Sequence, residues 1–77
     1  MKNNHFNKYS LIGKAIKEER TLRGLSQNEL ALRIGISKSY LSKIEAPNCN
    51  KAFSLELIFD LAEELEIPIT QLFKYLH

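Results

Sequence analysis

The N-terminal third of the chain mixes apolar and polar positions with the period of an amphipathic helix. From residue 11 to residue 23, apolar side chains return at roughly helical spacing between charged ones, which predicts a first helix. Its inward positions are Ile12, Ile16 and Leu22. Ser10 precedes this helix as a candidate cap, and Gly24 ends it. Residues 1–9 are polar and lack the period, so we expect them to form a flexible N-terminal arm.

Two shorter amphipathic segments follow, and each has its own start and stop residues. Ser26 and Glu29 have the spacing of a capping box, and Gly35 can end that helix in a left-handed conformation. Ser37 can cap the next helix, which Pro47 limits to two or three turns. The inward positions of these two helices are Leu30, Ala31, Ile34, Leu41 and Ile44.

The C-terminal part of the chain has the most regular apolar stripe. Ser54 is a candidate cap for a fourth helix, and Pro68 can open a fifth because proline fits the first turn of a helix. Their inward positions are Leu57, Ile58, Leu61 and Leu65, then Ile69, Leu72, Phe73 and Leu76. A chain of 77 residues suffices for one domain and not for two. The pattern therefore predicts an all-α fold, a compact five-helix bundle over residues 10–77.

The segment around Gly35 predicts a helix-turn-helix. Isolated helices of two or three turns are marginal in water, so the second and third helices need packing against the others. The short corner Gly35-Ile36-Ser37 lets them meet at a steep angle and leaves the outer face of the third helix free to enter a groove. That face has no acidic residue. Its hydroxyl, ammonium and phenol groups, which can contact bases and phosphates, belong to Lys38, Ser39, Tyr40, Ser42 and Lys43.

Charge is distributed unevenly along the chain, although the formal net charge is only +2. Residues 1–51 contain ten lysines and arginines against four acids, whereas residues 52–77 contain one lysine against five acids. We therefore expect the N-terminal part to attract a polyanion and the C-terminal part to repel it.

Several classes of function find no support in the residues. The single Cys49 cannot form an internal disulfide, and it has no metal-ligand spacing with His5 or His77, so we expect neither a metal nor a cofactor. No phosphate loop, Cys/His pair or enclosed carboxylate cluster suggests an enzyme. No apolar run is long enough for a membrane span, and the start lacks the apolar core of a signal peptide. We expect a cytoplasmic protein that is not an enzyme.

The chain resembles the phage repressor and Cro type of helix-turn-helix transcriptional regulators. The resemblance covers about residues 11–73 and rests on the segments GLSQNELA, GISKSYLSKIE and LAEELEIP. It implies the lambda repressor-like DNA-binding fold, with Gln27 on a backbone phosphate. It also implies that Arg20 meets Glu45 and fixes the recognition helix against the rest of the domain. The alternative for this pair is an exposed contact that contributes at most about 1 kcal/mol.

The candidate DNA-binding residues combine the third helix with the segments beside it. They are Gln27, Ser37, Lys38, Ser39, Tyr40, Ser42, Lys43, Asn48 and Lys51. Asn48 and Lys51 precede the capped start of the fourth helix, where free amides and a positive charge can hold a phosphate. Structural alternatives exist for several of these residues: Ser37 as a cap, Tyr40 packed over the turn, and the lysines simply solvated.

The residues and the resemblance together predict a sequence-specific transcriptional regulator, most simply a repressor that reads a pseudo-palindromic operator in double-stranded DNA. A homodimer is expected because one recognition helix reads too few base pairs. The predicted dimer interface consists of Leu55, Phe59, Ile69, Tyr75 and Leu76. For Phe59 the alternative is burial under the fifth helix within one monomer. The alternative function is a protein-interaction module, such as an antitoxin or antirepressor, whose basic face binds an acidic protein.

Overall fold

The computed structural model describes residues 5–49 and 51–76, which form helices and connecting loops without a β-strand. The four α-helices are α1 (Phe6–Leu22), α2 (Gln27–Ile34), α3 (Lys38–Glu45) and α4 (Leu55–Leu65). One 3₁₀-helix, Ile69–Phe73, follows α4. The prediction of an all-α fold is confirmed, but the described part of the chain has four α-helices instead of five. None of the helices described has the length and apolar character that crossing a membrane requires.

α1 begins earlier than the sequence pattern indicates. It starts at Phe6, so Ser10 lies inside the helix and does not cap it. The additional turn is stabilised by Tyr9, whose ring packs edge-on against the ring of Phe53 with the centroids 5.0 Å apart. A contact with the loop before α4 cannot be read from the local polar pattern. Residues 1–4 of the predicted arm lie outside the described residues.

The predicted caps at Ser26, Ser37 and Ser54 are confirmed, because each side chain accepts a hydrogen bond from the backbone amide three residues later. At the start of α2, the Glu29 carboxylate completes the capping box by accepting from the Ser26 amide at 2.9 Å. Gly35 follows α2 in the left-handed conformation, with φ of 78°. These local bonds define where α2 ends and α3 begins, and so the length of the corner between them.

The core takes residues from all five helical segments. Its fully buried side chains include Ile16, Leu30, Leu41, Ile44, Leu61, Leu65 and Leu72. The predicted inward positions of α3 and α4 are all buried. The prediction that Leu22 faces inward is wrong, since Leu22 is 77% exposed. At 3.6 residues per turn, Leu22 points roughly 120° away from the direction of Ile16.

The last helical segment is a short 3₁₀-helix where the pattern predicts an α-helix. It spans only Ile69–Phe73, and Leu76 lies beyond its end. The buried Glu19 of α1 accepts hydrogen bonds from Gln71 Nε2 at 3.0 Å and from Lys74 Nζ at 3.1 Å. These bonds, that of Gln71 first, lower the pKa of Glu19 to about 2 against the opposing effect of burial. A segment of five residues gains little stability from α-helical backbone hydrogen bonds. Its contacts with α1 therefore determine its conformation.

α1 and α3 approach each other closely at Gly13. A Cβ atom at this position would lie 2.0 Å from the carbonyl oxygen of Ile44. Only glycine leaves room for the α3 backbone here, so Gly13 sets the distance at which α3 crosses α1. The periodic pattern of α1 does not show which backbone Gly13 meets, although a lone glycine inside a helical pattern commonly has a packing reason.

Candidate nucleic-acid interface

The corner between α2 and α3 is built from backbone hydrogen bonds. The amides of Gly35 and Ile36 both donate to the carbonyl oxygen of Ala31, that of Ile36 at 3.0 Å. Ser37 follows in an extended conformation and begins α3. Leu41 and Ile44 then pack into the core. The corner and this packing together form a helix-turn-helix and leave one side of α3 in solvent.

The solvent side of α3 has four of the five residues that the sequence predicts there. Lys38, Ser39, Ser42 and Lys43 are all exposed. The one acidic residue of α3 is Glu45, which is 5% exposed and therefore contributes almost nothing to this side. The ammonium and hydroxyl groups on this side can contact phosphates and base edges. No exposed carboxylate on the same helix opposes the approach of a phosphate.

Seven of the predicted DNA-binding residues lie on one continuous surface. One shallow groove is lined by Gln27, Lys38, Ser39, Ser42 and Lys43. A neighbouring groove after α3 is lined by Lys43, Asn48 and Lys51, together with Ala46 and Cys49. Because Lys43 belongs to both grooves, the two are joined. The seven predicted residues are named here the candidate interface.

The structure places Ser37 and Tyr40 in structural positions beside the candidate interface. Ser37 Oγ accepts a hydrogen bond from the Tyr40 amide at 3.0 Å, as a helix cap does. Tyr40 is partly buried and packs against the hydrophobic core. Neither side chain lines the two grooves of the interface. Their positions correspond to the structural alternatives, capping and packing over the turn.

A buried ion pair joins α1 to α3 beneath the candidate interface. Arg20 Nε donates to Glu45 Oε2 at 2.8 Å, and Arg20 Nη2 donates to Glu45 Oε1 at 2.9 Å. The contact that the resemblance implies is therefore present, with bidentate geometry. Arg20 is only 7% exposed, so the pair is not a solvated surface contact. Arg20 Nη1 also donates to the carbonyl oxygen of Leu25 at 2.7 Å, which adds the loop before α2 to the same junction.

Gln27 makes a contact that the sequence did not indicate. Its Nε2 donates to Glu45 Oε1 at 2.9 Å, although the two residues are 18 positions apart. Gln27 is the first residue of α2 and Glu45 is the last residue of α3. This hydrogen bond therefore links the outer ends of the helix pair. No local residue spacing indicates a contact between positions this far apart. The capping box identifies Gln27 as the first residue of α2, but it does not indicate the partner of the Gln27 side chain.

The predicted dimer residues differ in their exposure. On α4, Leu55 is 62% exposed and Phe59 is 49% exposed. Ile69, Tyr75 and Leu76 are partly buried against the core. The 3₁₀-helix therefore leaves Phe59 about half exposed within the monomer instead of covering it. An apolar pair spaced by one helical turn remains on the surface of α4.

Cys49 is buried in the loop after α3. Its Sγ donates a weak hydrogen bond to the carbonyl oxygen of Lys51 at 3.5 Å, so the thiol helps to hold this loop. Within residues 5–49 and 51–76, no cluster of three or more His, Cys, Asp or Glu side chains has the arrangement of a metal site.

Comparison with known proteins places this geometry in a family. Residues 16–72 match the Helix-turn-helix family. The chain is 40% identical over 63 residues to the HTH-type transcriptional regulator SlrR of Bacillus subtilis, a match over 82% of this chain and 41% of SlrR. It is 34% identical over 67 residues to SinR of the same organism, over 87% of this chain and 60% of SinR. The chain thus spans less than two thirds of the length of either curated relative.

Solved structures with the same fold agree with this assignment. The restriction-modification controller protein C.AhdI from Aeromonas hydrophila has a TM-score of 0.82 and 34% identity, over 92% of this chain and all of that chain. The crystal structure of SinR in complex with DNA has a TM-score of 0.71 and 36% identity, over 79% of this chain and 95% of that chain. The chain therefore belongs to the helix-turn-helix family, and within it to the phage repressor and Cro type of transcriptional regulators.

Proposed function

We propose that this protein is a sequence-specific regulator of transcription, which acts in the cytoplasm as a homodimeric repressor on a double-stranded DNA operator. The observation that carries the proposal is the candidate interface, which combines the exposed side of α3 with polar residues before and after it and contains no carboxylate. The family consists of DNA-binding regulators and not of enzymes, so a binding function is the consistent conclusion.

In the proposed complex, α3 enters the major groove, which is wide enough for an α-helix. Ser39, Ser42 and Lys43 then face the base edges. Lys38, Asn48 and Lys51 contact backbone phosphates on either side. Gln27 reaches a phosphate at the start of α2, where the free amides of the helix end favour negative charge. Base contacts supply sequence specificity, whereas phosphate contacts fix the position of the protein on the duplex.

One relative supports DNA as the partner, and a second supports a regulatory role. SinR, 36% identical to this chain, has a crystal structure in complex with DNA, and it is described there as the master regulator for biofilm formation. C.AhdI is a restriction-modification controller protein. The folds of C.AhdI and SinR match 92% and 79% of this chain. We therefore propose the same kind of partner for this chain as for SinR, and the site selection below determines the operator sequence.

Selection of bound sites from random duplex DNA tests the proposal directly. We expect enrichment of an inverted repeat whose half-sites are one helical turn apart, because a two-fold dimer places two copies of α3 on one side of the duplex about 34 Å apart. Absence of any enriched sequence, with the folded protein in excess, would contradict sequence-specific binding.

The salt dependence of affinity is expected to be steep. A dimer whose lysines and neighbouring groups neutralise about six to ten phosphates releases condensed counterions, so log affinity should fall against log salt with a slope of roughly −5 to −9. Fluorescence anisotropy with a labelled duplex measures this slope. A flat response would favour the alternative, an interaction module for an acidic protein.

Lys43→Ala is expected to weaken operator binding by about 1 to 3 kcal/mol if the ammonium group contacts a guanine, and to relax sequence preference at one base-pair position. Repeating the site selection with the variant measures this preference. Arg33→Ala is the matched single-charge control, because Arg33 pairs with Glu64 of α4 and does not line the candidate interface. A uniform loss across all sequences would reassign Lys43 to a phosphate.

For the dimer, we propose an interface on the outer side of α4 and the 3₁₀-helix. Leu55 and Phe59 are the exposed apolar pair that supports this proposal. Ile69, Tyr75 and Leu76 extend the apolar surface from partly buried positions. Residues 52–77 contain five acids and one lysine. Their negative charge repels phosphate, so this surface is expected to face away from the DNA. The carboxylates of two copies then have to lie to either side of the two-fold axis.

Sedimentation of two variants tests the proposed interface. Phe59→Ala removes an exposed aromatic side chain, and Ile69→Lys places a charge on the 3₁₀-helix side of the proposed interface. We expect both to weaken dimerisation, by about 1 kcal/mol or more each, because truncation of a central interface residue commonly costs this much. Leu32→Ala is the control, since Leu32 is a 72% exposed leucine on α2, outside the proposed interface. If both variants fold and dimerise like the parent, the interface lies elsewhere.

A further inference from the structure

The side chain of Gln27 belongs to the candidate interface and also contacts the buried ion pair. It lines the groove with Lys38 and Lys43, and its Nε2 donates to Glu45 Oε1 at 2.9 Å. An amide nitrogen carries two hydrogens. The bond to Glu45 uses one of them, so the second can serve an acceptor in the groove.

We propose that Gln27 is a positioning residue, which couples phosphate binding at the start of α2 to the orientation of α3. This inference rests on the proposed DNA-binding function. One N–H of the amide holds Glu45, the last residue of α3, while the other donates to a backbone phosphate. A phosphate contact carries no sequence information by itself. Through Glu45, this contact affects how α3 presents Ser39 and Lys43 to the bases.

The arrangement around Glu45 explains why one amide has this effect. The carboxylate accepts two hydrogen bonds from Arg20 and one from Gln27. Arg20 is in turn held by the carbonyl oxygen of Leu25. α3 has only eight residues, so its direction depends on tertiary contacts at its ends. A hydrogen bond to Glu45 from the start of α2 is such a contact, and buried networks of this kind act as a unit.

Gln27→Met is the decisive variant, because methionine keeps the side-chain length and the helix propensity but cannot donate a hydrogen bond. We expect binding to the selected operator to become about tenfold weaker, and binding to a scrambled duplex of equal length only about threefold weaker. The salt slope should stay parental, since Gln27 carries no charge. In a Glu45→Ala background, where α3 offers Gln27 no acceptor, Gln27→Met should no longer change the ratio of the two affinities.

A matched control exists outside the candidate interface. Gln71 Nε2 donates to the buried Glu19 at 3.0 Å, and Gln71 lines neither groove of the interface, so Gln71→Met removes the same type of hydrogen bond without changing an interface residue. We expect Gln71→Met to leave both affinities parental, with the assembly state of each variant checked by sedimentation. Comparable losses of thermal stability in the two variants show that any difference in DNA binding is not a general effect of destabilisation.

The outcomes separate this inference from the proposed function. If Gln27→Met weakens both duplexes by the same factor, Gln27 is a phosphate contact alone and the coupling is refuted. If it weakens neither, Gln27 has no part in binding and the coupling is equally refuted. Both results keep the proposed function, because the parent and Lys43→Ala are measured in the same assay. A parent that binds no duplex overturns the proposed function and the coupling together. The comparison of duplexes needs only the single variant, so it stands even if Glu45→Ala does not fold.

Discussion

Replacing Gly13 by alanine is expected to destabilise the protein by about 2 to 3 kcal/mol and to weaken operator binding. Helix propensity alone predicts the opposite sign, because alanine favours a helix interior over glycine by about 1 kcal/mol. The new methyl group would lie 2.0 Å from the carbonyl oxygen of Ile44 and 3.1 Å from its carbon. These are backbone atoms, so no side-chain rotation relieves the clash, and α3 has to move away from α1. Urea denaturation followed by circular dichroism measures the stability, and titration with the operator measures the binding.

Gly24→Ala is the control for Gly13→Ala. A Cβ atom at Gly24 meets nothing within 4 Å, but the residue has φ of +69°. Alanine in this left-handed conformation should cost about 1 to 2 kcal/mol and leave operator affinity unchanged, because the position of α3 is unaffected. The packing argument is wrong if Gly13→Ala proves as stable as the parent and binds the operator equally well.

Glu45→Ala is expected to cost about 3 to 5 kcal/mol of stability, because it leaves the Arg20 guanidinium buried without its charged partner. The Gln27 amide loses its acceptor in the same variant. α3 then lacks the contacts at its C-terminal end that tie it to α1 and to the start of α2. We therefore expect operator affinity to fall more than the loss of stability alone explains. Denaturation and anisotropy on the same samples, at a temperature where the variant is folded, measure both quantities.

An exposed ion pair provides the comparison for Glu45→Ala. Arg33 and Glu64 approach to 3.4 Å, with side chains 50% and 33% exposed. Water and salt screen such a pair, so Glu64→Ala should cost less than about 1 kcal/mol and leave DNA binding unchanged. Parental folding together with parental DNA affinity in Glu45→Ala would refute the proposed positioning role of the buried pair.

Local patterns were sufficient for the central helices of the fold. The caps at Ser26, Ser37 and Ser54 are hydrogen bonds between residues three positions apart, so the sequence shows both partners of each bond. The inward stripe of α4 follows from its period, because an apolar face must be buried when a helix packs. The composition of the exposed side of α3 follows from the same periodicity.

Both ends of the fold were predicted less well, for a common reason. The first turn of α1 lies in a segment without an apolar period and is stabilised by the contact of Tyr9 with Phe53. The 3₁₀-helix Ile69–Phe73 is held by hydrogen bonds from Gln71 and Lys74 to Glu19 of α1. In each case the partner is distant in sequence, and a short terminal segment takes its conformation from that partner instead of from its own propensity.

The sequence by itself determined which segments are helical in the middle of the chain, where the turn lies and which polar groups α3 exposes, since these depend on residues within a few positions of one another. Only the tertiary structure decided how α3 is held. Gly13 admits the Ile44 carbonyl through a contact between two helices. Arg20 and Gln27 reach Glu45 from residues 25 and 18 positions away. Distances of this kind are set by how the helices pack, and the packing depends on the whole core at once.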